Sequence, residues 1–129
     1  MSMESTAPLA IETQNLIRTY HVGDRAVKAL RGIDLQVATG RFIALKGRSG
    51  SGKTTLLNCL GGLDQPTSGT VIVNGRSLSG LSEKELTHWR RSEVGFIFQS
   101  FGLLPTLSAF ENVELMLRIS KLPYKQRKD

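Results

Sequence analysis

The sequence has a single cysteine among its 129 residues, Cys59. One cysteine cannot form a disulfide within the chain, which favours a reducing compartment and a packing role for this residue. No run of about eighteen apolar residues occurs, so the sequence predicts no membrane-spanning helix. Residues 1–8 lack the apolar stretch of a secretory signal, and we expect them to form a disordered leader. There is no internal repeat and no low-complexity tract.

Acidic residues are the scarcer charge. The 11 Asp and Glu are outnumbered by 17 Lys and Arg, which gives a net charge of +6. This surplus suits an anionic ligand, a nucleic acid or an acidic membrane face, although an ordinary solvated surface is the favoured explanation. The two histidines, His21 and His88, have no metal-like spacing with each other or with Cys59.

The sequence does contain Gly-x-x-x-x-Gly-Lys-Thr, which runs from Gly47 to Thr54. The apolar residues 42–45 precede it, and a helix-like apolar pattern follows it. A buried strand, a glycine-rich turn and a helix N-terminus are the context that a phosphate-binding P-loop requires. A flexible Gly/Ser loop with an incidental lysine is the alternative, and the two flanks argue against it.

The residue types in this motif fit a triphosphate. Backbone N–H groups at a helix start favour anions, and glycines let the backbone approach closely. Lys53 is predicted to contact the β- and γ-phosphates, and the Thr54 hydroxyl to ligate Mg²⁺. The predicted ligand-contacting residues of the loop are Gly47, Arg48, Ser49, Gly50, Ser51, Gly52, Lys53, Thr54 and Thr55.

Hydrophobic periodicity and turn signals predict an α/β fold. Strands are predicted at residues 11–20, 26–37, 41–45, 70–73 and 93–99. Helices are predicted from about 52 to 61, from 83 to about 91 after a Ser82–Glu85 capping box, and through about 119 after a Ser108–Glu111 capping box. Another helix is expected to start near Pro123. The two strands before the P-loop predict an antiparallel β layer beside the main sheet.

The same residues, with several others, resemble one family. The resemblance is carried by Tyr20 and by residues 27–30, 47–55, 61–69, 94–99 and 103–115. From residue 11 to 124 the chain resembles the nucleotide-binding subunit of ABC transporters, in the lipoprotein-release, macrolide-export and cell-division branch. The resemblance implies a P-loop NTPase core sheet with an N-terminal antiparallel β layer. Residues 9–129 would be the N-terminal part of one such domain, truncated before its helical, signature-bearing half is complete.

The resemblance also assigns roles to residues outside the P-loop. Tyr20 matches the aromatic residue that stacks on adenine, and Val27 matches an apolar residue beside the base. Gln99 matches the glutamine that reaches Mg²⁺ and the attacking water, so Lys53 and Gln99 are the catalytic candidates, and Thr54 and Gln99 the metal ligands. Three alternatives stay open: packing of Tyr20 on its own sheet, a core role for Val27, and a solvated Gln99. Residues 101–107 match part of the groove that receives a coupling helix of the membrane subunit.

The family's later elements are missing from the sequence. Hydrolysis needs a carboxylate at the end of an apolar strand and a catalytic carboxylate after it, and no acidic residue here ends such a run. The Leu-Ser-Gly-Gly-Gln signature and the late histidine are absent as well, as is the guanine-reading Asn-Lys-x-Asp of GTPases. We therefore expect a chain that binds ATP and Mg²⁺ but barely hydrolyses ATP on its own.

For the complete protein, the resemblance implies an ATP hydrolase that drives transport. Its partners would be a membrane-spanning permease and a second nucleotide-binding domain in a head-to-tail dimer, with no nucleic acid expected. The protein would then be cytoplasmic, held at the inner face of the membrane by the permease. The alternative is an ABC-type or other P-loop ATPase with a non-transport role, such as one associated with nucleic acid.

Overall fold

The computed structural model describes residues 7–100 and 102–127. They form two compact units, the first ending at Ser82 and the second beginning at Glu83. The predicted leader falls mostly outside the described residues. At its end, the carbonyl of Pro8 accepts hydrogen bonds from the backbone and the side chain of Thr39, each at 2.9 Å.

The first unit is built on an antiparallel sheet. Its strands are β1 (Leu9–Val22), β2 (Arg25–Ala38), β3 (Ser68–Val73) and β4 (Arg76–Ser77), in the order β2-β1-β3-β4. The two-residue turn at Gly23 and Asp24 pairs the long first strands, as the sequence predicts. The sequence predicts a strand only at residues 70–73, and the structure adds the short β4 after a hairpin turn at Asn74-Gly75.

One helix, α1 (Lys53–Leu60), packs against β2 and β3 of this sheet. Leu56 and Cys59 are its buried residues. The buried apolar side chains of the strands include Leu16, Leu30 and Val71. The helix ends at Gly61, whose N–H donates to the Leu57 carbonyl at 2.9 Å, so the predicted helix end near residue 61 is confirmed.

An irregular point in β1 shapes the sheet. Asn15 has a positive φ of 46°, and its N–H donates to Asp34 Oδ1 at 2.6 Å. The pairing of β1 shifts register here with both of its neighbours. Opposite this bulge, Gly69 has a φ of +86°, and a Cβ on it would lie 2.3 Å from the Asn15 carbonyl oxygen. Glycine is therefore required where β3 crosses the bulge.

The second unit contains α2 (Glu83–Glu93), α3 (Ala109–Ile119) and a single 3₁₀ turn, Tyr124–Arg127. The capping box that begins α3 is confirmed. Ser108 Oγ accepts from the Glu111 N–H at 3.3 Å, and Glu111 Oε2 accepts from the Ser108 N–H at 2.8 Å. The same hydroxyl and N–H of Ser108 hold the pKa of Glu111 below its ordinary value. The helix α2 starts directly after Ser82, and the box proposed there stays a prediction.

Two predicted strands are wrong. Residues 41–48 and 94–98 have no regular secondary structure, and none of the described strands pairs with them. Phe42 is 96% exposed and Ile97 is 100% exposed. Apolar runs of this kind form strands only where neighbouring strands accept their backbone hydrogen bonds, and the described part of the chain supplies none.

Candidate phosphate-binding site

The loop from Gly47 to Gly52 crosses close to β2 before α1 begins. Gly50 and Gly52 both have left-handed backbones, with φ of 77° and 89°. A Cβ on Gly52 would lie 2.5 Å from the Ala29 carbonyl oxygen, whereas one on Gly50 would meet nothing within 4 Å. Glycine is therefore required at position 52 by the close approach of β2 as well as by the backbone conformation. At position 50 the backbone conformation alone favours glycine.

The start of α1 offers several unused donors. Gly52 is the N-cap residue, no side chain among the described residues caps it, and no acidic residue lies in the first turn. The first helical hydrogen bond runs from the Leu56 N–H to the Gly52 carbonyl at 2.8 Å. The N–H groups of residues 52–55 consequently have no acceptor within the helix. They form the positive end of the helix dipole, where an anion is stabilised.

The ammonium group of Lys53 lies over the loop. Its Nζ donates to the carbonyl oxygens of Gly47 at 2.8 Å and Arg48 at 2.7 Å, and lies 3.2 Å from Ser51 Oγ. These neutral acceptors are weak partners for a cation compared with phosphate oxygens. The side chain is therefore already positioned beside the helix start and can exchange its partners for a phosphate.

The hydroxyl of Thr54 can supply one of the several ligands that Mg²⁺ requires. Thr54 is exposed in the first turn of α1. Among residues 7–100 and 102–127, no group of three or more His, Cys, Asp or Glu side chains could hold a metal ion. A single hydroxyl fits Mg²⁺ when the other ligands are phosphate oxygens and water, which is the arrangement this cation prefers.

Tyr20 and Val27 lie side by side near the turn between β1 and β2. They are cross-strand partners, and Val27 is 53% exposed, so it is not a core residue. Ala29, which contacts the Gly52 position, follows two residues later on β2. At about 3.3 Å per residue, the Tyr20–Val27 pair lies roughly 7 Å along the strand from the helix start.

Tyr20 is held by two residues that the sequence analysis missed. Its hydroxyl donates to Asp64 Oδ2 at 2.5 Å, and the guanidinium of Arg18 lies 4.5 Å from the centre of its ring. Arg18 also binds Asp64 through two atom pairs, Nε–Oδ2 at 3.0 Å and a terminal nitrogen with Oδ1 at 2.7 Å. The i, i+2 spacing places Arg18 on the same face of β1 as Tyr20. No sequence signal links either residue to Asp64, which lies over forty residues away.

Gln99 belongs to the second unit, in an exposed turn that follows residues 94–98. Its predicted contacts with Mg²⁺ and water stay a prediction. The apolar loop that follows it forms part of a pocket of about 430 Å³, lined by Leu103, Leu104, Pro105, Leu107, Ala109, Asn112 and Val113. Phe101 lies outside the described residues.

Cys59 is expected to be chemically inert. Burial, and after it the negative charge of Asp64, raises the pKa of its thiol to about 11, and the side chain is 1% exposed. We expect Ellman's reagent at pH 8 to react at least about tenfold more slowly with the folded chain than with the chain in guanidinium, because thiolate is the reactive form. Equal rates would contradict the burial of this residue.

The raised thiol pKa also has a consequence for stability. The protonated Cys59 thiol contributes its full share to the free energy of unfolding below the ordinary cysteine pKa. This share is lost as pH rises from about 9 toward 11, because only the unfolded chain releases the thiol proton in that range. Urea denaturation of Cys59→Ala should accordingly depend less on pH in this window than denaturation of the wild type.

A protein-family model described as "ABC transporter" matches residues 30–129. The chain belongs to the ABC transporter family. The match excludes Tyr20 and Val27, so their roles depend on the geometry above and on the resemblance.

Individual relatives place the chain in the macrolide-export and lipoprotein-release branch of ABC ATPases. It is 50% identical over 111 residues to the macrolide export ATP-binding/permease protein MacB of Marinobacter nauticus, covering 86% of this chain and 17% of that protein. It is 44% identical over 107 residues to the uncharacterized ABC transporter ATP-binding protein MJ0796 of Methanocaldococcus jannaschii, covering 83% and 46%. The chain therefore spans less than two thirds of these relatives.

A solved structure of the MJ0796 cassette, a dimer in a post-hydrolysis state with ADP and Pi, has the same fold. The TM-score is 0.86 at 39% sequence identity, covering 92% of this chain and 52% of that one. The predicted ABC ATPase fold with an N-terminal antiparallel β layer is thereby confirmed.

Proposed function

We propose that this chain binds ATP with Mg²⁺ at the start of α1 as the ATP-binding subunit of an ABC transporter. The uncapped N-terminus of α1, with Lys53 lying over it, carries the proposal. A helix end with free N–H groups and an adjacent ammonium is a receptor for the phosphates. The Tyr20–Val27 pair on the same unit supplies a platform for the base.

Each residue then has a distinct role. The N–H groups of residues 52–55 donate to the phosphate oxygens, and Lys53 leaves the loop carbonyls to bind the β- and γ-phosphates. Thr54 would hold Mg²⁺, which neutralises phosphate charge when bound. Arg48 is exposed within the loop and adds positive charge there. Gln99 would orient water and metal with an uncharged amide.

Hydrolysis is proposed for the complete protein and not for these 129 residues alone. Four acidic side chains of the described residues are already engaged: Asp34 accepts the Asn15 N–H, Asp64 binds Arg18, Glu111 caps α3, and Glu114 pairs with Arg118 at 2.8 Å. A carboxylate that pairs with a cation or accepts such hydrogen bonds is a weaker base, because these contacts stabilise its ionised form. The water-activating carboxylate would come from outside this sequence.

Transport is the work of the complete protein. We propose a membrane-spanning permease and a second nucleotide-binding domain as partners, at the inner face of the membrane. The name of the Marinobacter relative joins ATP binding to a permease, and the MJ0796 cassette is dimeric. No helix of the described residues is both long and apolar enough to cross a bilayer. A non-transport ABC ATPase is the alternative, favoured only by the net charge of +6.

A hydrolysis assay with radiolabelled ATP tests this proposal. We expect the purified chain to retain ATP on a filter while releasing phosphate at the rate of the Lys53→Ala variant, because the water-activating carboxylate is proposed to lie outside these 129 residues. Phosphate release well above that rate would contradict the assignment of hydrolysis to the complete protein. Failure of the wild type to retain any ATP would contradict the proposal itself.

A further inference from the structure

The contacts around Tyr20 point to a role for two charged residues in binding the base. Asp64 accepts a hydrogen bond from the hydroxyl of Tyr20 and binds Arg18 through both carboxylate oxygens. The side chains of Arg18 and Asp64 are only 25% and 18% exposed, so the pair is partly shielded from water. Such a bidentate, shielded pair fixes geometry better than a surface ion pair does.

We propose that Arg18 and Asp64 are positioning residues that fix the Tyr20 ring as the adenine platform. This inference rests on the function proposed above. Arg18 covers one face of the ring at 4.5 Å, so a base would stack on the opposite face. Asp64 fixes the far end of the ring through the hydroxyl, so the side chain cannot swing to another χ1 rotamer without losing a hydrogen bond.

The position of Asp64 links this platform to the phosphate site. Asp64 follows α1, and its N–H donates to the carbonyl of Asn58 within that helix at 3.2 Å. The Leu63 N–H donates to the same carbonyl at 2.8 Å. One end of α1 therefore presents the phosphate donors, and the segment anchored to its other end positions Tyr20. The helix sets the spacing between the phosphate and base subsites.

A comparison of two ligands tests the inference: ATP, and inorganic tripolyphosphate, which carries the phosphates without a base. The ratio of their dissociation constants reports the base subsite, because a merely structural role would weaken both ligands together. For Asp64→Asn we expect ATP to bind about fivefold more weakly, because the acceptor of the Tyr20 hydroxyl loses its charge and its ion pair with Arg18. Tripolyphosphate binding should stay within about twofold, since the phosphate donors are untouched.

Tyr20→Phe is the second variant, because it removes only the hydroxyl and leaves the Arg18–Asp64 pair in place. Its affinity for ATP should fall by a similar factor, while its affinity for tripolyphosphate should not. The double variant should lose little more affinity than either single variant, because both changes act on the same contact between the hydroxyl and the carboxylate. Asp24→Asn, at the exposed β1–β2 turn, removes an equal charge on the same unit and should leave the ratio unchanged.

The outcomes separate the two proposals. If tripolyphosphate and ATP both fail to bind the wild type, the proposed function is wrong. If both bind, but Asp64→Asn and Tyr20→Phe leave their ratio at the wild-type value, the positioning role is wrong while the phosphate site stands. Additive losses in the double variant would also overturn the inference, since the two residues would then act separately.

Discussion

Replacing Lys53 with alanine is expected to weaken ATP binding by about 30- to 150-fold, the equivalent of a lost charged hydrogen-bonding group. The side chain has its ammonium placed over the loop, within 2.8 Å of the Gly47 carbonyl oxygen and next to the uncapped start of α1. Titration calorimetry with MgATP measures the effect.

Lys84→Ala is the matched control, because Lys84 is an exposed lysine in the first turn of α2. It removes the same charge from the chain and should leave ATP affinity within about twofold. Equal weakening by both variants would mean that net charge, and not the loop, holds the nucleotide. An unchanged affinity of Lys53→Ala for MgATP would mean that the phosphates bind at a site other than the start of α1.

Gly69→Ala is expected to cost about 2–5 kcal/mol of unfolding free energy, enough to threaten a small domain. Its φ of +86° strains any residue with a Cβ, at about 1–2 kcal/mol. The new methyl group would also lie 2.3 Å from the Asn15 carbonyl oxygen and 2.6 Å from that of Gln14. Both are backbone atoms, so β1 and β3 must separate, at about 1–3 kcal/mol more. Urea denaturation gives the value.

Gly75→Ala separates the two contributions. Gly75 has a similar φ of +75° at the β3–β4 turn, but a Cβ there would meet nothing within 4 Å. This variant should therefore show the backbone cost alone, about 1–2 kcal/mol. If Gly69→Ala proves no more destabilising than Gly75→Ala, the close approach of β3 to the Asn15 bulge is wrong.

Local sequence signals predicted the elements whose stability is local. The capping box at Ser108 and the glycines after Leu60 determine where helices start and stop through contacts a few residues apart, and the structure agrees. The β1–β2 hairpin is similar, because its strands are joined by a two-residue turn. The P-loop was predictable for the same reason: motif, glycines and helix start are contiguous.

The predicted strands at residues 41–45 and 93–99 failed because strand formation is not local. Their apolar composition is that of buried strands, but a strand needs a partner, and the described residues offer none at those positions. The matched cassette is longer than this chain, which covers 52% of it. We propose that partner strands in the complete protein would order both segments.

The base subsite was only half predictable. Tyr20 and Val27 were assigned from the resemblance, and the hairpin register places them together. The contacts of Arg18 and Asp64 with Tyr20 depend on how the segment after α1 returns to β1, through hydrogen bonds such as Thr67 N–H to the Ile17 carbonyl at 2.8 Å. A long-range return of this kind leaves no periodic or motif signal in the sequence.

The most direct test of the central claim is a ¹H–¹⁵N NMR titration of the chain with MgATP. If the start of α1 holds the phosphates, the amides of residues 50–55 should show the largest shifts, because their N–H groups become hydrogen-bond donors to the ligand. AMP, which has a base but only one phosphate, should shift them much less. Saturable shifts centred elsewhere, or none at residues 50–55, would contradict the account.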